Sequence, residues 1–131
     1  MLFTCIKLPP KGGKTKEALK IVADNLIKNI PTILISIEDN VKELGRRLLQ
    51  EHQIQLNNEA VLNNLSIYYN PHITDQWVGM ICYENKLKMN GDVCLVFDYC
   101  QNDDQLKFLK EKICNALGIR VYTFKQKRCY Q

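Results

Sequence analysis

The sequence predicts an α/β protein, a parallel sheet flanked by helices on both faces. Three observations predict it. Short apolar runs alternate along the chain with stretches in which apolar residues recur at i, i+3 and i+4, the signatures of strand and helix. The central runs TILISI and VCLVF show no in-and-out alternation, which is how strands buried on both faces of a parallel sheet read. The first run passes through LPPKGGKT, residues 8–15, directly into a helical pattern, the context in which the phosphate-binding loop G-x-x-x-x-G-K-[ST] occurs.

Each element follows in order. Phe3 to Leu8 reads as the first strand. A helix begins near Lys14 with Ala18, Leu19, Val22, Leu26 and Ile27 on one face, and Pro31 marks its exit. Thr32 to Ile37 is the second strand and stops at Glu38. The second helix, from about Asn40 to Glu51, turns Val41, Leu44, Leu48 and Leu49 inward and Arg46 and Arg47 outward. Residues 53–64 are polar and read as irregular or partly helical, and LSIYY is a short strand before the break at Pro71. Thr74 begins a helix to Met89, and Val93 to Phe97 is a further buried strand ending in Asp98. The last helix spans about Asp104 to Leu117, with Leu106, Leu109, Ile113 and Leu117 as its stripe and Gly118 as C-cap, before a final strand in RVYTF.

The chain's 131 residues suffice for one domain with a real core and not for two, so residues 1–131 are expected to be a single domain. No apolar run approaches the roughly 20 residues that span a bilayer, and the opening MLFTCIK has neither a basic leader nor a small-residue cleavage site. A cytoplasmic protein without membrane contact is expected. The six cysteines form no C-x-x-C pair or regular framework and are expected to be buried free thiols. Net charge is +4, part of it gathered at Lys125, Lys127 and Arg128, which reads as a solvated end or a phosphate contact for single-stranded nucleic acid.

Polar groups follow four of the strands: Lys14 and Thr15 after the first, Glu38 after the second, Asp98 after the buried strand at 93–97, and Gln126 after the last. In an open parallel sheet such ends converge on one edge, where ligands bind. The set suits phosphoryl transfer from a nucleoside triphosphate to water. Backbone N–H groups of Pro10-Lys11-Gly12-Gly13-Lys14-Thr15, proline excepted, would wrap phosphate, and Lys14 would neutralise it. Thr15 and Asp98 would hold Mg²⁺, Glu38 would polarise the attacking water and Gln126 would sense the terminal phosphate. Leu8 stands where the loop pattern has its first glycine.

In these segments the chain resembles the RecA-like P-loop ATPase domain of DnaB-type replicative helicases. PPKGGKT resembles that family's R-P-x-x-G-K-T loop, which commonly lacks the first glycine. TILISIEDNVKELGRRLL is similar to S-L-E-M-x-x-x-x-L-x-x-R-L, LSIYYNPHIT to the segment ending D-D-x-x-x-x-T-I, LVFDYCQ to I-V-I-D-Y-L-Q, and GIRVYTFKQ to V-P-V-I-A-L-S-Q. The resemblance implies a RecA-like parallel sheet, ATP and Mg²⁺ as ligands, Glu38 as catalytic glutamate, Arg47 as the helix arginine and Gln126 as phosphate sensor. It implies a link to DNA replication, and a homo-oligomer as one open assembly, because RecA-like domains usually place ATP between subunits.

The chain departs from the family where Lys125 replaces the serine of S-Q and Asp39 the methionine of S-L-E-M. It begins at the first core strand and stops soon after Gln126, so counterparts of the family's N-terminal domain, DNA-binding loop and arginine finger are not expected, and slow hydrolysis is expected without a partner. Three functions stand as alternatives: a minimal, weakly hydrolysing ATP-binding domain; a non-enzymatic helicase-like protein docking on or regulating a replication protein; and a single-stranded nucleic-acid binder using Lys125, Lys127 and Arg128. A phage or mobile element, where trimmed replication genes are common, is an expected source.

Overall fold

The computed structural model describes residues 3–9, 14–36, 41–55, 58–89, 92–98 and 100–126, with backbone alone for Lys14, Val41, Ala60, Leu62 and Gln126. Five strands form one wholly parallel sheet: β1 (Phe3–Leu8), β2 (Thr32–Ser36), β3 (Leu65–Tyr69), β4 (Cys94–Phe97) and β5 (Arg120–Gln126), in the order β1-β5-β4-β2-β3. From β1 the chain crosses to β2 and on to β3, then returns through β4 to β5. Crossovers of one hand must change faces when direction reverses. Accordingly α1 (Lys14–Ile27), α2 (Val41–His52) and α3 (Glu59–Asn64) cover one face, while α4 (Asp75–Lys88) and α5 (Asp103–Phe108) cover the other.

Two cores result, and alternate residues of each strand divide between them. Ile33 and Ile35 of β2, Leu95 and Phe97 of β4, and Val121 of β5 pack with Val78, Ile81 and Cys82 of α4 and with Leu109 and Ile113 beyond α5. Leu34, Cys94, Val96 and Phe124 pack on the opposite face with Leu19 and Val22 of α1 and Leu44 and Leu48 of α2. This double burial is why β2 and β4 carry no polar alternation. Among the described residues no helix is long and apolar enough to cross a membrane.

Helix ends have local causes. Thr74 caps α4, its side chain accepting from Trp77 N–H at 3.2 Å, and Asn102 caps α5, accepting from Gln105 N–H at 2.8 Å. α1 ends on Asn29 at φ 57° and α2 on Gln53 at φ 60°. In both, the next N–H returns to the last helical turn, Ile30 to Asn25 C=O and Ile54 to Leu48 C=O. Gly118, at φ 68°, closes the last helix as its sequence position predicts.

Three expectations are corrected. Ile27 is 70% exposed and Leu49 47% exposed rather than inward. At 100° per residue each lies roughly 120° from the centre of its helix's buried face. The last helix is not α-helical throughout, because Leu109–Asn115 is π-helical. Its i→i+5 turn brings Cys114 as well as Ile113 onto the buried side with Leu109. Arg47 is half-buried, its Nε 3.5 Å from Glu51, whereas Arg46 is exposed and pairs with Glu43.

The five described cysteines are free; Cys82, Cys94, Cys100 and Cys114 are buried and Cys5 is half-buried. Burial pushes the Cys82 thiol up to about 12 and those of Cys94 and Cys100 up to about 11. They are packing residues.

Candidate functional site

All five strands run the same way, so Leu8, Ser36, Tyr69, Phe97 and Gln126 end at one edge. The edge is stepped. Cys5, Thr123, Phe97 and Ile35 share a rung, but β1 and β5 continue past it as a pair, Ile6 beside Phe124, Lys7 beside Lys125 and Leu8 beside Gln126. At about 3.3 Å per residue the two strands stand about 10 Å above the end of β4. Asp98 follows at the foot of this wall.

The same edge receives the start of α1. The helix runs antiparallel to the strands and packs over β2 and β4, so its first residues, Lys14 and Thr15, lie at the carboxyl ends. Its N-terminal N–H groups have no intrahelical acceptors and carry the positive end of the helix dipole, an arrangement suited to anions. Thr15 and Asp98 are both half-buried, accessible yet partly removed from water.

Asp98 is tied to β2, and residues beside it are tied to β5. Its N–H donates to Ile35 C=O of β2 at 2.9 Å, and Ser36 Oγ, at the end of β2, donates to its Oδ2 at 3.4 Å. On the β5 side Thr123 Oγ1 donates to Phe97 C=O at 3.1 Å, and Cys100 N–H donates to Phe124 C=O at 2.8 Å. Lys125 on β5 is half-buried, and its ammonium pairs with Asp103 in the first turn of α5.

The structure thus brings Thr15, Asp98 and the backbones of Lys14 and Gln126 to one edge, with β5 between β1 and β4. Lys125 reaches the same edge with its charge matched by Asp103. Pro10, Lys11, Gly12, Gly13, Glu38, Lys127 and Arg128 lie outside the described residues. Ser36 and Thr123 are polar residues of this region to which the sequence reading assigned no role. Ser36 falls on the serine of the S-L-E-M segment, which carried no role in that reading, and Thr123 is one hydroxyl inside RVYTF.

Among solved structures, the chain is similar to one described as an ATPase domain, with a TM-score of 0.70 at 20% identity over 95% of this chain and 56% of that one. It is similar to a DnaB-like replicative helicase described with its interactions with primase, with a TM-score of 0.71 at 20% identity over 95% of this chain and 38% of that one. RadB recombinase is a third, with a TM-score of 0.59 at 17% identity over 95% of this chain and 60% of that one. No protein-family model matches the chain, and no curated protein matches it in sequence. The fold is therefore that of RecA-like P-loop ATPase domains, as the resemblance implies, and the chain spans 38% to 60% of the length of these neighbours.

Proposed function

We propose that this chain acts as a single RecA-like domain that binds ATP and Mg²⁺ at the carboxyl edge of its sheet and hydrolyses ATP weakly, in the service of DNA replication. The observation that supports this reading is the stepped edge. There the start of α1 at Lys14 and Thr15, Asp98 after β4 and Gln126 at the end of β5 share one edge of the sheet. The donor chemistry fits the ligands: the Thr15 hydroxyl and Asp98 carboxylate are hard oxygen donors of the kind Mg²⁺ takes beside phosphate oxygens. When bound, Mg²⁺ supplies neutralisation of charge on the β- and γ-phosphates.

In this reading the backbone of residues 10–13 and the α1 N-terminus cradle the phosphates, and Lys14 neutralises them. Thr15 and Asp98 hold the metal from the protein side. Glu38 accepts a proton from a water attacking the γ-phosphorus, and the bond to the β-phosphate oxygen breaks to leave ADP and phosphate. Gln126, at the top of the wall, registers whether the terminal phosphate is present. A co-crystal with a non-hydrolysable ATP analogue and Mg²⁺ tests the reading; the triphosphate is expected against residues 10–15, and its appearance elsewhere in the fold would overturn it.

A second reading, a non-enzymatic helicase-like protein that docks on a replication protein, is favoured by a different observation. Met80, Tyr83 and Leu87 recur at i, i+3 and i+7 along α4 and are all exposed. One of the fold neighbours is described with its interactions with primase, so a replication protein is the kind of partner to test. The single-stranded nucleic-acid reading draws less support, because Lys125, one of its three cations, is paired with Asp103.

A further inference from the structure

β2 is buried along its whole length and aliphatic between two buried hydroxyls, Thr32 where it begins and Ser36, 5% exposed, where it ends. A hydroxyl there costs stability unless it is hydrogen-bonded, and it donates to the Asp98 carboxylate, 62 residues away in sequence. Thr123 repeats the pattern one rung lower on β5, on the far side of β4. Fully buried, it donates to the carbonyl of Phe97, the residue before Asp98, and its Oγ1 lies 3.3 Å from Cys100 Sγ.

Here Phe97, Asp98 and Cys100 are held from β2 by Ser36 Oγ and Ile35 C=O and from β5 by Thr123 Oγ1 and Phe124 C=O. The two hydroxyls do different work. The 3.1 Å bond from Thr123 fixes the backbone, whereas the 3.4 Å contact from Ser36, long for a hydroxyl and a carboxylate, steers the side chain without locking it.

We propose that Ser36 and Thr123 are positioning residues for Asp98 at the foot of the β1–β5 wall, where it meets Mg²⁺: Thr123 sets the height of the backbone before it, and Ser36 steers its carboxylate. The proposal rests on the reading of this edge as an Mg²⁺–nucleotide site. Ligand groups held in advance by a supporting shell lose less entropy when the metal arrives, and outer partners of metal ligands are often worth tenfold or more in affinity.

The test is a Mg²⁺ titration of fluorescent ATP-analogue binding for the native chain, Ser36→Ala, Ser36→Thr, Thr123→Val and Thr123→Ser, with nucleotide affinity also measured in EDTA. Ser36→Ala and Thr123→Val are expected to raise the Mg²⁺ midpoint by about tenfold, near the lower end for outer-shell partners. Ser36→Thr and Thr123→Ser, which keep the hydroxyl, are expected to restore it, and affinity in EDTA is expected to be the same for all five proteins. An unaltered midpoint in Ser36→Ala beside a Mg²⁺-dependent native chain overturns the positioning role alone. So does an equal loss with and without Mg²⁺, which marks a general structural effect. A native chain that binds no analogue under either condition overturns the reading of the site and the positioning role with it.

Discussion

The centre of the sheet and its carboxyl edge are built from the same strands, yet they are held by different forces. At Ile33 to Ile35 of β2 and Leu95 to Phe97 of β4 every side chain is apolar and buried in one of two cores. Such contacts are non-directional and scale with area, so a neighbour of similar volume can replace any one of them. At the edge, Ser36 Oγ donates to the Asp98 carboxylate, and Phe97, Asp98 and Cys100 are held by individual hydrogen bonds from β2 and β5. If the edge binds nucleotide as proposed, substitutions at the centre should lower stability and substitutions at the edge should lower binding, a few residues apart on the same strands.

The largest expected effect on stability is at the centre. Leu95→Ala, at a fully buried position of β4, is expected to cost about 2–5 kcal/mol in urea unfolding, the usual range for a large-to-small change in a packed core. Asp98→Asn, three residues later, should do the reverse. Its Mg²⁺-dependent nucleotide affinity is expected to fall by about tenfold or more while its urea midpoint stays close to native. Equal losses of stability and binding in both variants would break the distinction between the regions.

A third effect sharpens the comparison through pH. Burial raises the folded-state values of Cys82, Cys94 and Cys100 above the ordinary thiol value of 9.0, to about 12, 11 and 11. Below pH 9 these thiols are protonated in both states and their contribution is fully present. Between pH 9 and about 11–12 the unfolded chain loses protons that the fold retains, so stability falls. Urea unfolding at pH 8, 9 and 10 is expected to show that loss beginning near 9, and replacing Cys82 and Cys94 by alanine should lessen its slope. The smallest effect is at the helix flanks: Ile27→Gln and Leu49→Gln are expected to change stability by about 0.5 kcal/mol or less, since both side chains are exposed.

The centre was legible in the sequence for the same reason that it is stable. Apolar runs such as TILIS and CLVF state their burial locally, and the residues at i, i+3 and i+4 in α1 and α2 state which helix face turns inward. Ile27 and Leu49 were misassigned because hydrophobicity names a candidate face but not its width, and each sits beyond the edge that the sheet covers. The π-helical turn at Leu109–Asn115 was illegible, since its stripe of Leu106, Leu109, Ile113 and Leu117 also fits an α-helix and only packing selects the wider turn. At the edge, Lys14, Thr15, Asp98 and Gln126 could be read because each ends or follows a visible apolar run. Ser36 and Thr123 could not, because what each hydroxyl does depends on which distant strand lies beside it. The contacts of Ser36 with Asp98 and of Thr123 with Phe97 join residues 62 and 26 apart.

Whether the stepped edge holds a nucleotide is decided by titrating a fluorescent ATP analogue into the native chain and Lys14→Ala, each with and without Mg²⁺. Saturable binding by the native chain that tightens with Mg²⁺ and is lost in Lys14→Ala is the predicted result. Absence of binding to both proteins at millimolar protein, or equal binding to both, would contradict it.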